Sequence, residues 1–375
     1  MIYLDNNATT RVAPEVFEAM KPYLTDLYGN PSSAHTFGRE MRSVVEKARG
    51  QVAELIGASR PDEVVFTSGG TESDNWAILG ALAADPEKKH IVTTRVEHEA
   101  VRKLCEQLET SGHTVTWLGV NEEGLLDLEE LRAALRPDTA VVSIMLANNE
   151  TGILFPVRQA AAIVKESSRA LFHVDGINAV GKVEIALKDS GVDLFSLSGH
   201  KFHAPKGVGA LYVRNGVNLP TLQIGGGQEN GRRAGTENVP YIAGLGAAAE
   251  LVKDIFAMGR VAAMRDKFEN EILRTIPNAT LNGTADRALR LPNTSSISFA
   301  GTNGEAILAK LNDAGICVST GSACNSDDHT ASGVLQAMNI PYEQAMGAIR
   351  FSFGRYNVDG EVEVVLRELT KILEI

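Results

Sequence analysis

Apolar residues recur along this chain in two rhythms. Short strand-like runs rich in Val, Ile, Leu and Phe fall at 63–67, 90–94, 115–118, 140–147, 171–175, 194–198 and 209–213. Between several of them, as at 74–84, 101–108, 127–135 and 157–166, apolar positions return with helical period, which predicts amphipathic helices. Such alternation predicts an α/β fold built on a mainly parallel, seven-stranded sheet covered on both faces. Ligands of these sheets bind beyond the carboxyl ends of the strands, so the residues just after each run carry the interest. After about residue 255 the texture changes. A helical stretch at 261–273 leads through Pro277-Asn278 to shorter strands and a terminal helix at 359–375, the pattern of a smaller α+β domain. The expected division is a large domain over 15–255 and a small one made of 1–14 plus 256–375. The turn-rich opening Asp5-Asn6-Asn7-Ala8-Thr9-Thr10 would be an arm joined to the small domain.

Composition changes the expected partners more than the fold. With 375 residues, 44% apolar and 22% charged, the chain has an ordinary globular balance, which excludes a disordered or fibrous protein. Lys+Arg of 36 against Asp+Glu of 47 gives 36 − 47 = −11, a field that repels nucleic acid and anionic membranes. Neither is an expected partner. No apolar run approaches the ~18–20 residues that span a bilayer, and the opening Met1-Ile-Tyr-Leu-Asp5 lacks the segments of a secretion signal. Three cysteines, Cys105, Cys317 and Cys324, are too few to staple such a chain, so a reduced, cytoplasmic setting is expected.

Candidate chemistry gathers at the ends of three runs. Thr67-Ser68-Gly69-Gly70-Thr71-Glu72-Ser73 follows a strand and opens a helix, where glycines and free N–H groups welcome an anion such as phosphate. A plain capping turn is the alternative. Phe172-His173-Val174-Asp175 ends on an acid, costly in a buried place unless it meets a cation, though a structural ion pair would serve. Ser198-Gly199-His200-Lys201 delivers a lysine into a loop, where desolvation turns an amine into a carbonyl-trapping nucleophile. A solvated surface lysine is the bland reading. His200 and His203 lack a third ligand at zinc spacing, so no metal is expected. Together, a phosphate-friendly helix start, a strand-end acid and a lysine 26 residues later are the handles of pyridoxal phosphate.

Three further features stand apart. Cys105 and Cys317 sit in apolar surroundings as small core residues, whereas Cys324 lies in Val318-Ser-Thr-Gly-Ser-Ala-Cys-Asn-Ser-Asp327, a flexible loop suited to a nucleophilic thiol or to a harmless surface one. Arg350, flanked by apolar residues, calls for an anionic partner, either a substrate carboxylate or a structural acid. The glycine-rich stretch 231–238 reads as a surface loop able to bring Thr236 to a phosphate across a subunit boundary.

These segments resemble the cysteine desulfurases of the fold-type I pyridoxal-phosphate (class V aminotransferase) family, over essentially the whole chain. The matching motifs are Tyr3-Leu-Asp-Asn-Asn-Ala-Thr-Thr10, Gly29-Asn-Pro-Ser-Ser-x-His35, Ser68-Gly-Gly-Thr-Glu-Ser73, Val96-Glu-His98, Ala147-Asn-Asn-Glu150, Ser198-Gly-His-Lys201, Arg233-Ala-Gly-Thr-Glu-Asn238, Gly321-Ser-Ala-Cys324 and Phe351-Ser-Phe-Gly-Arg355. The cysteine loop is similar to that of the branch serving nitrogen fixation and housekeeping iron–sulfur assembly.

The resemblance implies a homodimeric enzyme that takes sulfur from L-cysteine, yields L-alanine and keeps a persulfide for an iron–sulfur scaffold or other acceptor protein. Lys201 would carry the cofactor as a Schiff base, Asp175 would face the pyridinium and His98 would stack on the ring. Asn149 and Asn178 would lie near the ring oxygen. Gly70, Thr71, Ser198 and His200, with Thr236 of a second subunit, would bind phosphate. Arg350, beside Asn149, would clamp the substrate carboxylate. Cys324 would accept the sulfur, and it stays a candidate transient iron–sulfur ligand. Three positions depart from the family's pattern: Asn178 stands where Gln is usual, Met346 where His is common, and Glu99 where Pro is frequent. Another reaction on the same fold, such as aminotransfer or selenocysteine lysis, and a non-catalytic scaffold are the rival readings. Aminotransfer has no use for Cys324, and a scaffold none for an intact Lys201, Asp175, Arg350 and Cys324.

Overall fold

A computed structural model of the chain describes residues 1–320 and 331–373. The chain opens on β1 (Ile2–Tyr3), then two helices, α1 (Pro14–Leu24) and α2 (Thr36–Leu55). Strand β2 (Val64–Thr67) leads into α3 (Gly70–Ala84), β3 (His90–Thr94), α4 (Glu99–Thr110) and β4 (Thr114–Leu118). Next come α5 (Leu128–Ala134), β5 (Thr139–Ser143), α6 (Val157–Ser167), β6 (Leu171–Asp175), β7 (Leu194–Ser198) and β8 (Gly209–Val213). A helix pair, α7 (Val239–Lys253) and α8 (Phe256–Thr275), separates these from β9 (Ala279–Leu281), β10 (Thr294–Phe299), α9 (Gly304–Asp313) and β11 (Ile316–Cys317). Short α10 (Gly333–Ala337) and α11 (Tyr342–Met346) precede β12 (Ala348–Ser352) and α12 (Asp359–Ile372).

Seven strands form one sheet in the order β2-β8-β7-β6-β5-β3-β4. All its pairings are parallel except those of β8, which runs against both neighbours. The inner strands are buried on both faces, as helix-covered parallel sheets require, while edge strand β4 opens to solvent at its start. Helix α3 lies across the sheet and buries residues all round, among them Trp76, whose indole N–H donates to the Pro220 carbonyl at 2.8 Å.

A second core gathers Leu4 with residues from Met258 onward, centred on Phe268, whose ring meets Phe351 and Phe353 edge-on at 4.7 and 5.5 Å. Its sheet has the order β12-β10-β9, all antiparallel. The arm expected from the opening residues runs here: β1 pairs with β11, and Asp5 bridges to Ser352. The segment Ala331–Ala348 packs its buried apolar residues on the first core instead.

Candidate active site

The end of β2 turns sharply into α3. Gly69 takes φ of 151°, open to glycine, and no side chain caps the helix start. A Cβ on Gly70 would sit 2.3 Å from the Ile177 side chain. The uncapped start of α3 lies beside Ser198, which is itself buried: Cβ atoms placed on Gly69 and Gly70 would come within 3.7 and 3.5 Å of it. Thr71 is exposed at this turn, and Ser73 is tied inward to Thr67 at 2.8 Å. Glu72 accepts from the Ser68 amide at 2.8 Å and from both arms of Arg233, at 2.8 and 3.1 Å, which fastens the 233–238 loop to α3. Thr236 stands exposed on that loop, and no hydrogen bond joins it to α3 among the described residues.

Strand β6 carries His173 and Asp175 on one face, and Asp175 accepts from the Ile177 amide at 2.9 Å. Burial raises the Asp175 pKa, while His98 and Lys201 pull it back. Behind it lies His173, with Nδ1 at 2.8 Å from the Ser143 hydroxyl and Nε2 at 3.0 Å from that of Ser196. Burial pushes this imidazole down to about 3, so it is neutral. Asp74, on α3, is fully buried 3.6 Å from His173, and neither of its oxygens has a hydrogen-bond partner. Glu97 is the third buried acid, raised to about 8 by burial, with its Oε1 held by Thr94 and the Met145 amide. His98 caps α4, accepting from the Ala100 amide at Nδ1 (3.1 Å), which leaves the proton on Nε2. The surrounding protein lowers its pKa, Asp175 opposes this and Lys201 adds to it.

Lys201 and His200 stand on a tight turn directly after β7. The Lys201 amine donates to the carbonyls of Asn7 and Ala8, the second at 3.1 Å, so the arm crosses beside it. His200 Nδ1 meets the Thr9 hydroxyl at 3.2 Å, and burial with the nearby lysines keeps this ring neutral. His203 turns to the Arg11 carbonyl, so the two histidines do not converge. No group of three His, Cys, Asp or Glu side chains forms a metal site among the described residues.

Arg350 on β12 is 7% exposed. It donates to Asp5 at 2.7 Å and to the Asn149 carbonyl at 3.1 Å, and its Nε has no partner. The structural acid weighed for this arginine is thus Asp5. Asn148 folds the turn that carries Asn149, accepting from the amides of Glu150 and Thr151, both at 2.9 Å. The Asn178 oxygen accepts from Lys182 at 2.7 Å, and its NH2 reaches the Asn148 carbonyl only at 3.5 Å. Glu150 takes a hydrogen bond from Ser332. Met346 packs against the first core, and Glu99 is spent on Arg102 and Lys103, both at 3.1 Å. Cys324 lies outside the described residues.

The donor set fits pyridoxal phosphate. It offers an uncapped helix start with glycines for the phosphate, a buried acid in need of a cation for the ring nitrogen, and a lysine within reach of that acid's charge. Sequence reasoning assigned no role to Asp5, Asn7, Glu72, Asp74, Glu97 or Lys182. Four of them lie inside the quoted motifs, but nothing there separates a buried polar residue from an exposed one.

The model of the aminotransferase class-V family matches residues 2–365. A cysteine desulfurase of Trichormus azollae is 54% identical over 376 residues, covering 100% of this chain and 93% of that protein. The cysteine desulfurase NifS of Azotobacter vinelandii is 50% identical over 374 residues, covering 99% and 92%. A solved structure described as a NifS-like protein superposes with a TM-score of 0.92 at 40% identity, covering 100% of this chain and 98% of that one. No helix among the described residues is long and apolar enough to cross a membrane. With strand order, strand-end residues and relatives in agreement, the chain belongs to the aminotransferase class-V family and, within it, to the cysteine desulfurases.

Proposed function

We propose that this cysteine desulfurase holds pyridoxal phosphate at the carboxyl ends of β2, β6 and β7 and moves the sulfur of L-cysteine onto Cys324. The observation that carries the reading is that Asp175, His98 and Lys201 lie close enough to act on one another's charge, with the uncapped start of α3 at the same end of the sheet. Gly70, Thr71, Ser198 and His200 would take the phosphate, with Thr236 of a second subunit. Asp175 would face the ring nitrogen and His98 the ring plane. Asn149 would reach the ring oxygen, as would the NH2 of Asn178. Lys201 is the amine for the aldehyde. Bound there, pyridoxal phosphate supplies an electron sink for bonds broken at the substrate's Cα.

The chain's own residues do the rest. Arg350 receives the substrate carboxylate through guanidinium N–H groups that its bonds to Asp5 and the Asn149 carbonyl leave over. Lys201 removes and later returns a proton at the substrate's carbon. The Cys324 thiolate forms an S–S bond as the substrate's C–S bond breaks, the electron pair going to the carbon fragment, which leaves protonated as L-alanine. The persulfide then passes to an iron–sulfur scaffold or other acceptor. We place the enzyme in the cytoplasm as a homodimer, with 15–255 as the cofactor-holding domain and 1–14 plus 256–375 as the domain that carries the cysteine loop.

The test is spectral and chemical. Lys201→Ala should lose the cofactor's visible band. Cys324→Ser should keep that band and its response to cysteine, yet form no persulfide by thiol-specific labelling. Normal sulfur release by the serine variant would remove Cys324 from the reaction.

A further inference from the structure

Lys182, in the turn that follows Asp175, is an amine that the roles above leave unused. It is 7% exposed, and no carboxylate lies within ion-pair distance of it among the described residues. Its Nζ donates instead to three oxygens: Asn178 Oδ1 at 2.7 Å, the Asn178 carbonyl at 2.9 Å and Asn7 Oδ1 at 3.0 Å. Three N–H groups meeting three acceptors is an arrangement matched to an ammonium. The same Asn7 receives the Lys201 amine on its backbone carbonyl. One residue therefore touches both lysines, and both line one cavity with Thr10, Asn293 and Arg355.

Asn7 is itself fixed. It is 1% exposed, its NH2 donates to Thr294 at 2.8 Å and to the Asn149 carbonyl at 3.1 Å, and its Oδ1 also accepts from Asn293 at 3.0 Å. Burial, then the charges of Lys201 and Arg350, push the Lys182 pKa well below a lysine's ordinary value, so the two amines compete for charge. A neighbouring cation is a known way to keep a lysine unprotonated and nucleophilic.

We propose that Lys182 is a positioning residue for Lys201: seated on three oxygens, its amine competes with Lys201 for a proton and so weakens that amine's hold on one, and through Asn7 it fixes where Lys201 rests. The proposal relies on Lys201 being the amine that takes the cofactor's aldehyde. Among the described residues, the other titratable or charged groups around the pair are Asp175 on β6, His98 at α4, His200, His203 and Lys206 after β7, Arg350 on β12 and Arg355 just beyond it, in the same cavity. All are left intact in the variants below.

The experiment follows capture of pyridoxal phosphate by the full chain stripped of cofactor, through its visible absorbance, as a function of pH. The neutral Nζ adds to the aldehyde carbon and one water leaves as the C=N bond forms, so the rate tracks the unprotonated fraction of Lys201. Lys182→Met should raise the pH midpoint of capture by about one unit, as loss of a nearby like charge does. Lys182→Gln, which keeps a hydrogen-bonding end, should give the same rise and stands in if the methionine variant does not fold. Lys182→Arg should restore the wild-type midpoint. An unchanged midpoint in a folded uncharged variant overturns the proposal, as does an equal shift in the arginine variant. Lys201→Ala is the control: an undiminished adduct there would remove Lys201 itself from the site, a different failure.

Discussion

Shut away from solvent, with the Ser196 hydroxyl near its oxygens, Asp74 holds its proton more tightly than a free carboxyl does. Burial, then the charge of Asp175, raises its pKa well above the ordinary carboxylate range. The folded chain binds this proton more tightly than the unfolded one. The stabilisation it gives is therefore complete below the unfolded value of about 4 and is lost as pH rises toward the folded value. Asparagine has no such proton to lose. Asp74→Asn should withstand more urea than wild type at about pH 7 and no more at about pH 4. Denaturation series at the two pH values check this. A weaker variant at the higher pH would mean that Asp74 is ionised and paired with His173. Retaining an acid at such a cost, within reach of the Asp175 charge, is what a functional site does where local stability and chemistry disagree.

At the scale of elements, the turn after β6 sets where Asp175 stands. A Cβ on Gly176 would lie 1.8 Å from the Phe195 ring on β7, and that ring is 1% exposed with no room to retreat. Gly176→Ala should cost about 1–3 kcal/mol or more by overpacking. It should also loosen the hold on the cofactor, read as urea midpoint and as colour retained through gel filtration. A stable, fully coloured variant would show that the strands can part there. The same elements mark how far the sequence could be read. The seven strands and their mainly parallel sense follow from the apolar runs, though not the reversal of β8, and the run 140–147 leaves the ladder at Ser143. Ile144 and Leu146 still donate to β6 carbonyls, and the chain then bends to carry Asn149, so apolar character outlasts pairing. Helix α3 starts at Gly70 rather than 74 because its first turn is written in loop residues. Helix α7 is buried nearly all round and shows no amphipathic stripe, which hides it from a periodicity reading. Gathering Asp175, Lys201 and the α3 start at one end of the sheet follows from strand ends alone. The partners of Arg350 and Asn178 do not, because Asp5 and Lys182 are set by tertiary packing.

On the scale of the whole molecule, the opening arm joins parts far apart in the chain. Leu4 is fully buried in the second core, its amide donates to the Cys317 carbonyl at 2.9 Å and its own carbonyl accepts from Ser352 at 2.7 Å. Three residues on, Asn7 reaches Lys182 and Lys201. Leu4→Ala should cost about 2–5 kcal/mol, the usual range for such a cavity. It should also hasten cofactor loss, measured as decay of the visible band on dilution. Lost stability with an unchanged rate of loss would mean that the arm beside Lys201 holds its place without the second core.

That arm has a temporal side. Asn6 and Asn7 bond to Ser352, so residues from the first and last parts of the chain must meet before Lys201 and Arg350 have their partners. A polypeptide still being translated holds its opening residues but not yet their distant counterparts. The contacts of Asn6 and Asn7 with Ser352 therefore wait until some 345 further residues have been made, however early the arm itself emerges.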